Sequence, residues 1–418
     1  MLPTVPVPDK HVADYAETAG EEAVQRLVEA ARPLRGLRLL QLNSTAFGGG
    51  VAELLATHVP LLNDLGIETT WAVLQGSDDY FAVTKAVHNA LQGHPVEWTP
   101  QMAATYWERI VANAAEVPGD YDLYLVHDPQ PAAVLRVLEE EGRRAGTWVW
   151  RCHIDLSSPH EPVWSFFEPL VNRYDAAIFT LPEFVRPGIT GPRLAVIPPS
   201  IDPLSVKNRP ISEETMHEVL AAFGIDPERP IITQVSRFDP WKDPLGVIDA
   251  YRLVRRNVPG LQLIMAGSLA TDDPEGLAYL DRTEEHRAGD PDIHLLTNLQ
   301  GVGDLEINAF QQAAAVIVQK SLREGFGLVV AEGMWKRKPV VGGNVGGIRL
   351  QIEDGVTGFL VEDVEGCARR VAQLLADPDL RARMGEAARE RVRQRFLSLR
   401  EIEDHLRLFS TLIGEARN

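Results

Sequence analysis

Cysteine is nearly missing from this chain: Cys152 and Cys367 are the only two in 418 residues. That is too few for a disulfide framework or a structural zinc site. No apolar run approaches the ~20 residues that span a bilayer. The opening MLPTVPVPDKHVADY has neither the basic start nor the apolar stretch of a secretory leader, so a cytoplasmic location is expected. Positive charge is also in short supply, with 41 Lys and Arg against 59 Asp and Glu, a net −18. Such a field repels nucleic acids and anionic membranes alike, and neither is expected as a partner. It leaves room for a small anion held by local backbone amides and a few cations. No cluster of His, Cys and Asp shows metal-ligand spacing, so no protein-held metal is expected. Short-period repeats and low-complexity segments are absent too.

What is present is an ordinary globular composition, 45% hydrophobic and 24% charged, in a chain longer than the roughly 250–300 residues at which one core stops growing. Two domains follow. Residues 1–35 read as a helical extension, with a helix expected over Glu21–Ala31. Apolar strands are then expected at Leu37–Leu42, Glu68–Leu74, Leu123–Val126, Trp148–Arg151, Ala176–Thr180 and Leu194–Ile197, with helical patterns between most of them, including Val51–Leu65. This is a parallel α/β rhythm covered on both faces. The stiff run Ile197-Pro198-Pro199-Ser200-Ile201-Asp202-Pro203 interrupts it. After a polar helix near Ser212–Phe223 the rhythm resumes. Strands are expected at Ile231–Ser236, Gln262–Ala266, Ile293–Leu296, Ala315–Val318, Pro339–Gly342 and Gly358–Val361, with a helix over Leu245–Asn257. The division is therefore 1–35, a first sheet domain over 36–200, a second over 201–395, and a closing helix over 396–418 that packs back on the first domain.

Ligands of open parallel sheets sit outside the carboxyl ends of the strands, so the loops after strands are where function is sought. Gly48, Gly49 and Gly50 follow the first strand and precede a helix, as a phosphate- or sugar-approach loop would; a permissive turn is the equal alternative. Neither this cluster nor Gly346-Gly347 has dinucleotide-binding spacing, which weakens a nicotinamide-dependent reading. The loop Ser236–Pro244 carries Arg237 and Lys242, cations suited to a diphosphate or, more plainly, to Asp239 and Asp243. The segment Ser321–Glu332 is the strongest signal. Gly325 and Gly327 leave the amides of a helix start unobstructed, a ready anion site. Glu324 lies just before this helix and Glu332 about two turns inside it, both open to a second reading as solvated acids that complement the dipole.

Glu324 and Glu332, with seven residues between them, resemble the paired-glutamate signature of retaining glycosyltransferases with the GT-B fold, two Rossmann-like doubly wound domains facing a central cleft. Arg237 and Lys242 resemble that family's diphosphate-binding pair, and Gly48–Gly50 its Gly-rich loop. Within the family the chain resembles the trehalose synthases, on Arg151–Ser157, Trp164–Phe167, Ile197–Ser205 and Val341–Ile348. Trehalose phosphorylases of the same fold resemble it as well. The resemblance implies a first domain for the acceptor and a second for the donor. It implies transfer of glucose from a nucleoside-diphosphate glucose to glucose, giving trehalose. Glu324 would hold donor hydroxyls and Glu332 the ribose. Arg237, Lys242 and the amides of Gly325, Phe326, Gly327 and Leu328 would stabilise the leaving diphosphate. His153 would contact the sugar near the reacting carbon, unless it is a structural histidine, and Asp155 an acceptor hydroxyl, unless it is a cap. No tightly bound cofactor is implied, with room left for magnesium carried by the nucleotide and for a homodimer. A nucleotide-sugar epimerase and a non-catalytic sugar binder stay open beside it.

Overall fold

The computed structural model describes residues 1–47, 49–269 and 274–416. Its contacts divide the chain into one unit of Met1–Ser200 with Ser398–Asn418, and a second of Ile201–Leu397. Each unit is built on a six-stranded sheet.

In the first unit the strands are β1 (Arg38–Asn43), β2 (Glu68–Val73), β3 (Leu123–His127), β4 (Thr147–Arg151), β5 (Ala176–Phe179) and β6 (Arg193–Val196). They are ordered β2-β1-β3-β4-β5-β6, and every pairing is parallel. The inner strands β3, β4 and β5 are buried at every residue, the continuous pattern of a sheet covered on both faces. The edge strand β6 is mostly exposed. Trp148 on β4 stacks on Tyr124 of β3 with ring centroids 4.2 Å apart. The helix Ser398–Ala416 belongs to this unit and lies against the helix Glu21–Ala31. It buries Leu399, Ile402, Leu406, Phe409 and Leu412, spaced three and four residues apart as one apolar stripe.

The second unit holds β7 (Ile231–Val235), β8 (Gln262–Gly267), β9 (Ile293–Thr297), β10 (Val316–Gln319), β11 (Val340–Gly343) and β12 (Gly358–Val361). They are ordered β12-β11-β10-β7-β8-β9, the doubly wound order, again all parallel. Two cores form on opposite faces of this sheet. Ile232 joins the cluster with Val247, Tyr251, Met265 and Val371, and its neighbour Ile231 the cluster with Leu220, Ile264 and Phe310. That is the two-residue alternation of a strand apolar on both sides. All twelve strands lie within one residue, at each end, of the positions expected from the sequence.

The chain order reverses between β1 and β3 in one sheet and between β7 and β10 in the other. At such switch points the loops leaving neighbouring strands diverge and open a crevice. One expectation needs correction. The helix after β10 runs only over Leu328–Trp335, so Glu332 is its fifth residue, little more than one turn in. The preceding loop is held from the side by the helix Gly346–Gln351. There the Gly347 amide donates to the Glu324 carbonyl at 3.1 Å, and Gln351 Nε2 to the Phe326 carbonyl at 2.6 Å.

A Cβ on Gly347 would overlap the Phe326 backbone and stand 2.7 Å from the Gly325 carbonyl. Gly347→Ala is therefore expected to cost about 1–3 kcal/mol by overpacking. A Cβ on Gly119 meets nothing within 4 Å, so Gly119→Ala should leave the urea midpoint unchanged. Equal midpoints for the two variants would show that the loop yields freely.

Candidate active site

In the second unit the loops after β7 and β10 flank the switch point and touch at a few residues. Asp239 caps a short turn over Pro240–Lys242, its Oδ1 accepting from the amides of Trp241 and Lys242 at 2.9 and 3.2 Å. Gln234 Nε2, from β7, donates to the Lys242 carbonyl at 2.8 Å. The Leu322 amide donates to the Trp241 carbonyl at 2.7 Å, tying one loop to the other. The Arg323 guanidinium lies over the Trp241 ring at 5.5 Å. Held in this way, Lys242 Nζ donates to Glu324 Oε2 at 2.6 Å, and Ser321 Oγ donates to the same oxygen at 3.1 Å. Lys242 does not pair with Asp243, the plainer alternative; Asp243 is taken by Lys320. Arg237 does have the plainer partner, with NH2 3.3 Å from Asp239 Oδ2, and its side chain is 55% exposed.

Neither glutamate is a solvated surface acid. Glu324 is 8% exposed and Glu332 fully buried, which removes that alternative for both. Glu332 Oε2 accepts from Gln311 Nε2 at 3.1 Å, and its Oε1 lies 3.6 Å from Lys207 Nζ. Lys336 Nζ completes the group by donating to Gln311 Oε1 at 2.8 Å. Among the described residues the two acids share no side-chain partner: Glu324 belongs to Lys242 and Ser321, Glu332 to Gln311 and Lys207. Gly327 takes a left-handed φ of +82°, where a Cβ would press on the Glu324 side chain at 3.0 Å, so glycine is required between the acid and the helix start. Phe326 is 4% exposed and its ring packs on Phe396 at 5.6 Å. Of the expected binding group Gly325–Leu328, Phe326 can therefore serve only through its backbone.

In the first unit β3 and β4 end side by side. The His153 amide donates to Asp128 Oδ1 at 2.8 Å, and Asp128 itself takes a left-handed φ of +65°. Burial pushes the Asp128 carboxyl up to about 7. His127 Nδ1 and His153 Nε2 are 2.9 Å apart, and His127 Nε2 is 3.0 Å from Gln41 Oε1. Burial first, and then the Arg151 guanidinium, hold both imidazoles well below the ordinary histidine value. Both rings are thus neutral. With Gln41 oriented to accept, His127 Nε2 carries a proton and Nδ1 accepts from His153 Nε2–H, so His153 Nδ1 is left as an acceptor. Asp155 is buried, and its Oδ1 accepts from the Ser157 amide at 2.8 Å, a turn-forming bond. Gly49 and Gly50 open the helix Gly50–Asp64; Gly49 is extended at φ −176° and needs no left-handed freedom. Gly48 lies outside the described residues.

Sequence reasoning passed over Ser321, Gln311 and Lys207 beside the two acids, and Gln41, His127 and Asp128 beside His153. Ser321 lay within the segment already singled out. His127-Asp128 closes a strand at its carboxyl end, and that position was signal enough. Lys207 and Gln311 come from segments with no local pattern, and only the fold brings them to Glu332.

A cation, a carboxylate and the amides at a helix start form one group in the second unit, and such a group can receive a diphosphate and sugar hydroxyls. Comparison with known proteins agrees in kind. Residues 41–186 match the profile described as trehalose synthase, N-terminal domain, and residues 216–391 that of glycosyl transferases group 1. A trehalose synthase of Rubrobacter xylanophilus is 48% identical, covering 99% of this chain and all of that one. A trehalose phosphorylase of Pleurotus pulmonarius is 28% identical, covering 91% of this chain and 58% of the fungal protein. The crystal structure of a trehalose 6-phosphate synthase from Burkholderia multivorans superposes with a TM-score of 0.72 at 17% identity, covering 91% of this chain and 98% of the other. That likeness is one of fold, the GT-B architecture of two parallel-sheet units. The near-complete match at 48% identity settles the family: this chain belongs to the trehalose synthases, among the group 1 glycosyltransferases.

Proposed function

We propose that this hexosyltransferase moves the glucosyl group of a nucleoside-diphosphate glucose onto free glucose, with retention at the anomeric carbon, to give trehalose. The observation that carries the proposal is the Lys242–Glu324 contact at 2.6 Å beside a helix start, a preformed cation and acceptor where a sugar diphosphate would lie. In this reading Lys242, Arg237 and the amides of Gly325 to Leu328 meet the charge that develops on the leaving diphosphate. Glu324 accepts from donor hydroxyls. Glu332 accepts from the ribose once Lys207 gives way. The bond from the anomeric carbon to the phosphate oxygen breaks, and a bond to the acceptor oxygen forms on the same face. The acceptor's proton passes to the departing phosphate oxygen, so the protein supplies no nucleophile. Neutral His153 offers Nδ1 as an acceptor to a sugar hydroxyl. The transfer needs no cofactor held by the protein, and magnesium would arrive with the nucleotide. Among the described residues no helix is long and apolar enough to cross a membrane, and the substrates are soluble ones of the cytoplasm.

Incubation with adenine, uracil or guanine nucleoside-diphosphate glucose and glucose is expected to yield trehalose and nucleoside diphosphate. Glucose 1-phosphate from trehalose and inorganic phosphate would identify a phosphorylase instead, and an epimeric donor an isomerase. In this assay Lys242→Ala is expected to lower kcat about 10²–10³-fold, the usual loss for one electrostatic contact to developing charge, and Arg237→Ala to lower it in the same direction. Unchanged kcat in both would remove the cations from the mechanism.

The two acids are expected to separate by assay. Glu324→Ala should nearly abolish transfer while nucleoside diphosphate affinity stays within a few fold. Because Glu332 is buried against Gln311, Glu332→Gln is the milder change. It should weaken nucleoside diphosphate binding by roughly 1.5–3 kcal/mol, the range for a hydrogen bond to a charged group, read by calorimetric titration. Identical behaviour of both variants in both assays would defeat the division of labour.

A further inference from the structure

Beneath His127 and His153, inside the first unit, lies a second polar group that the transfer mechanism does not use. His58, on the helix Gly50–Asp64, faces Glu401 and His405, one turn apart on the helix Ser398–Ala416. They are 6%, 1% and 6% exposed. One nitrogen of each ring and one carboxylate oxygen all lie within 4.8 Å of one another, and His58 Nε2 is 3.5 Å from Glu401 Oε2. His405 Nδ1 donates to the Glu401 carbonyl at 2.9 Å, which leaves Nε2 as the lone-pair nitrogen. Among the described residues, neither His58 Nε2 nor His405 Nε2 has a hydrogen-bond partner. Arg151, fully buried at the end of β4, donates through NH2 to Glu401 Oε1 at 3.3 Å, while its Nε and NH1 are likewise unpartnered. These groups line a cavity of about 10 Å³, room for about one water-sized occupant.

Four buried nitrogens without a hydrogen bond, one of them 3.5 Å from a carboxylate, surround one small cavity and call for an occupant, since buried polar groups are almost always paired. We propose that His58 Nε2, His405 Nε2 and a Glu401 carboxylate oxygen bind a divalent cation of the zinc class, its fourth position taken by a hydroxide that accepts from the free N–H groups of Arg151. Two imidazoles and one carboxylate are a zinc-type donor set. The Nδ1–carbonyl bond of His405 is the usual device that orients a ligating ring, and Ser200 Oγ, donating to Glu401 Oε2 at 2.6 Å, does the same for the carboxylate. Ligands about 2.0–2.1 Å from a tetrahedral ion stand about 3.4 Å apart, so the three ligand atoms, within 4.8 Å of one another, need close by at most about 1.4 Å. Arg151 already answers the charge of Glu401, and this is why the fourth ligand must be an anion. The ion would pin the final helix to the helix Gly50–Asp64. It takes no part in the sugar transfer, so the inference stands or falls separately from the proposed function.

The test uses the full chain, stripped with a chelator, free of nucleotide and titrated with zinc chloride by calorimetry alongside metal analysis. One equivalent of bound zinc and a higher melting temperature are expected. His405→Ala and His58→Ala should each lose the equivalent, while His94→Ala, at an exposed histidine, should keep it. Ser200→Ala should bind 10–100-fold more weakly, the usual loss for a residue that orients a ligand. Absence of binding heat and of any change in melting temperature would overturn the site, and so would zinc bound equally by the His58 and His405 variants. Either result would leave a single bridging water as the occupant.

Discussion

A wholly parallel sheet delivers every strand's carboxyl end to one edge, and the polar group described in each unit is a consequence of that constraint. Lys242 and Glu324 are 82 residues apart in sequence. They meet because β7 and β10 are direct neighbours at the point where the chain order reverses. His127 and His153 meet at the ends of β3 and β4, direct neighbours that follow one another in the chain. Neither meeting is local, and each depends on the apolar faces of its sheet being covered on both sides. An apolar substitution that shifts one of these strands would therefore move a charged contact that it never touches.

Four cations of the second unit stand against a carboxylate before any ligand arrives: Lys242 with Glu324, Arg237 with Asp239, Lys320 with Asp243 and Lys207 with Glu332. Binding an anion here is an exchange of partners rather than the neutralisation of a bare charge. Exchange lowers the net electrostatic gain of binding, since a paired cation has less to offer. It also holds each side chain in place beforehand, and each acid set free becomes an acceptor for hydroxyls. On the proposed reading, the phosphate would displace Glu324 from Lys242 just where the sugar presents its hydroxyls.

The inner strands were legible because they are buried on both faces, so a short apolar run could be little else; β6, mostly exposed, was legible only from its place in the repeating rhythm. Glu324, Arg237 and Lys242 were legible from their position after strands. The length of the helix bearing Glu332 was not, because its start is decided by a lateral grip on the preceding loop from Gly347 and Gln351. The burial of Glu332 was equally hidden, since its partners are Lys207, from the connecting segment ahead of the second sheet, and Gln311, from another helix. Asp155 read as a candidate ligand or a cap, and its carboxylate is engaged in a turn. Glu401 and His405 lie one turn apart on one helix, but their partner His58 comes from a helix near the other end of the chain, so the group as a whole could not be read from spacing.

The first unit is discontinuous in sequence: Arg151 finds its carboxylate only on Glu401, in the helix Ser398–Ala416. During synthesis, the whole of Ile201–Leu397 leaves the ribosome before that helix does. The second sheet can thus complete its own core while the first still holds a buried guanidinium without a counter-charge. Folding from the amino end forward is the common order for multidomain chains, and here it is inverted: the half made first is finished last.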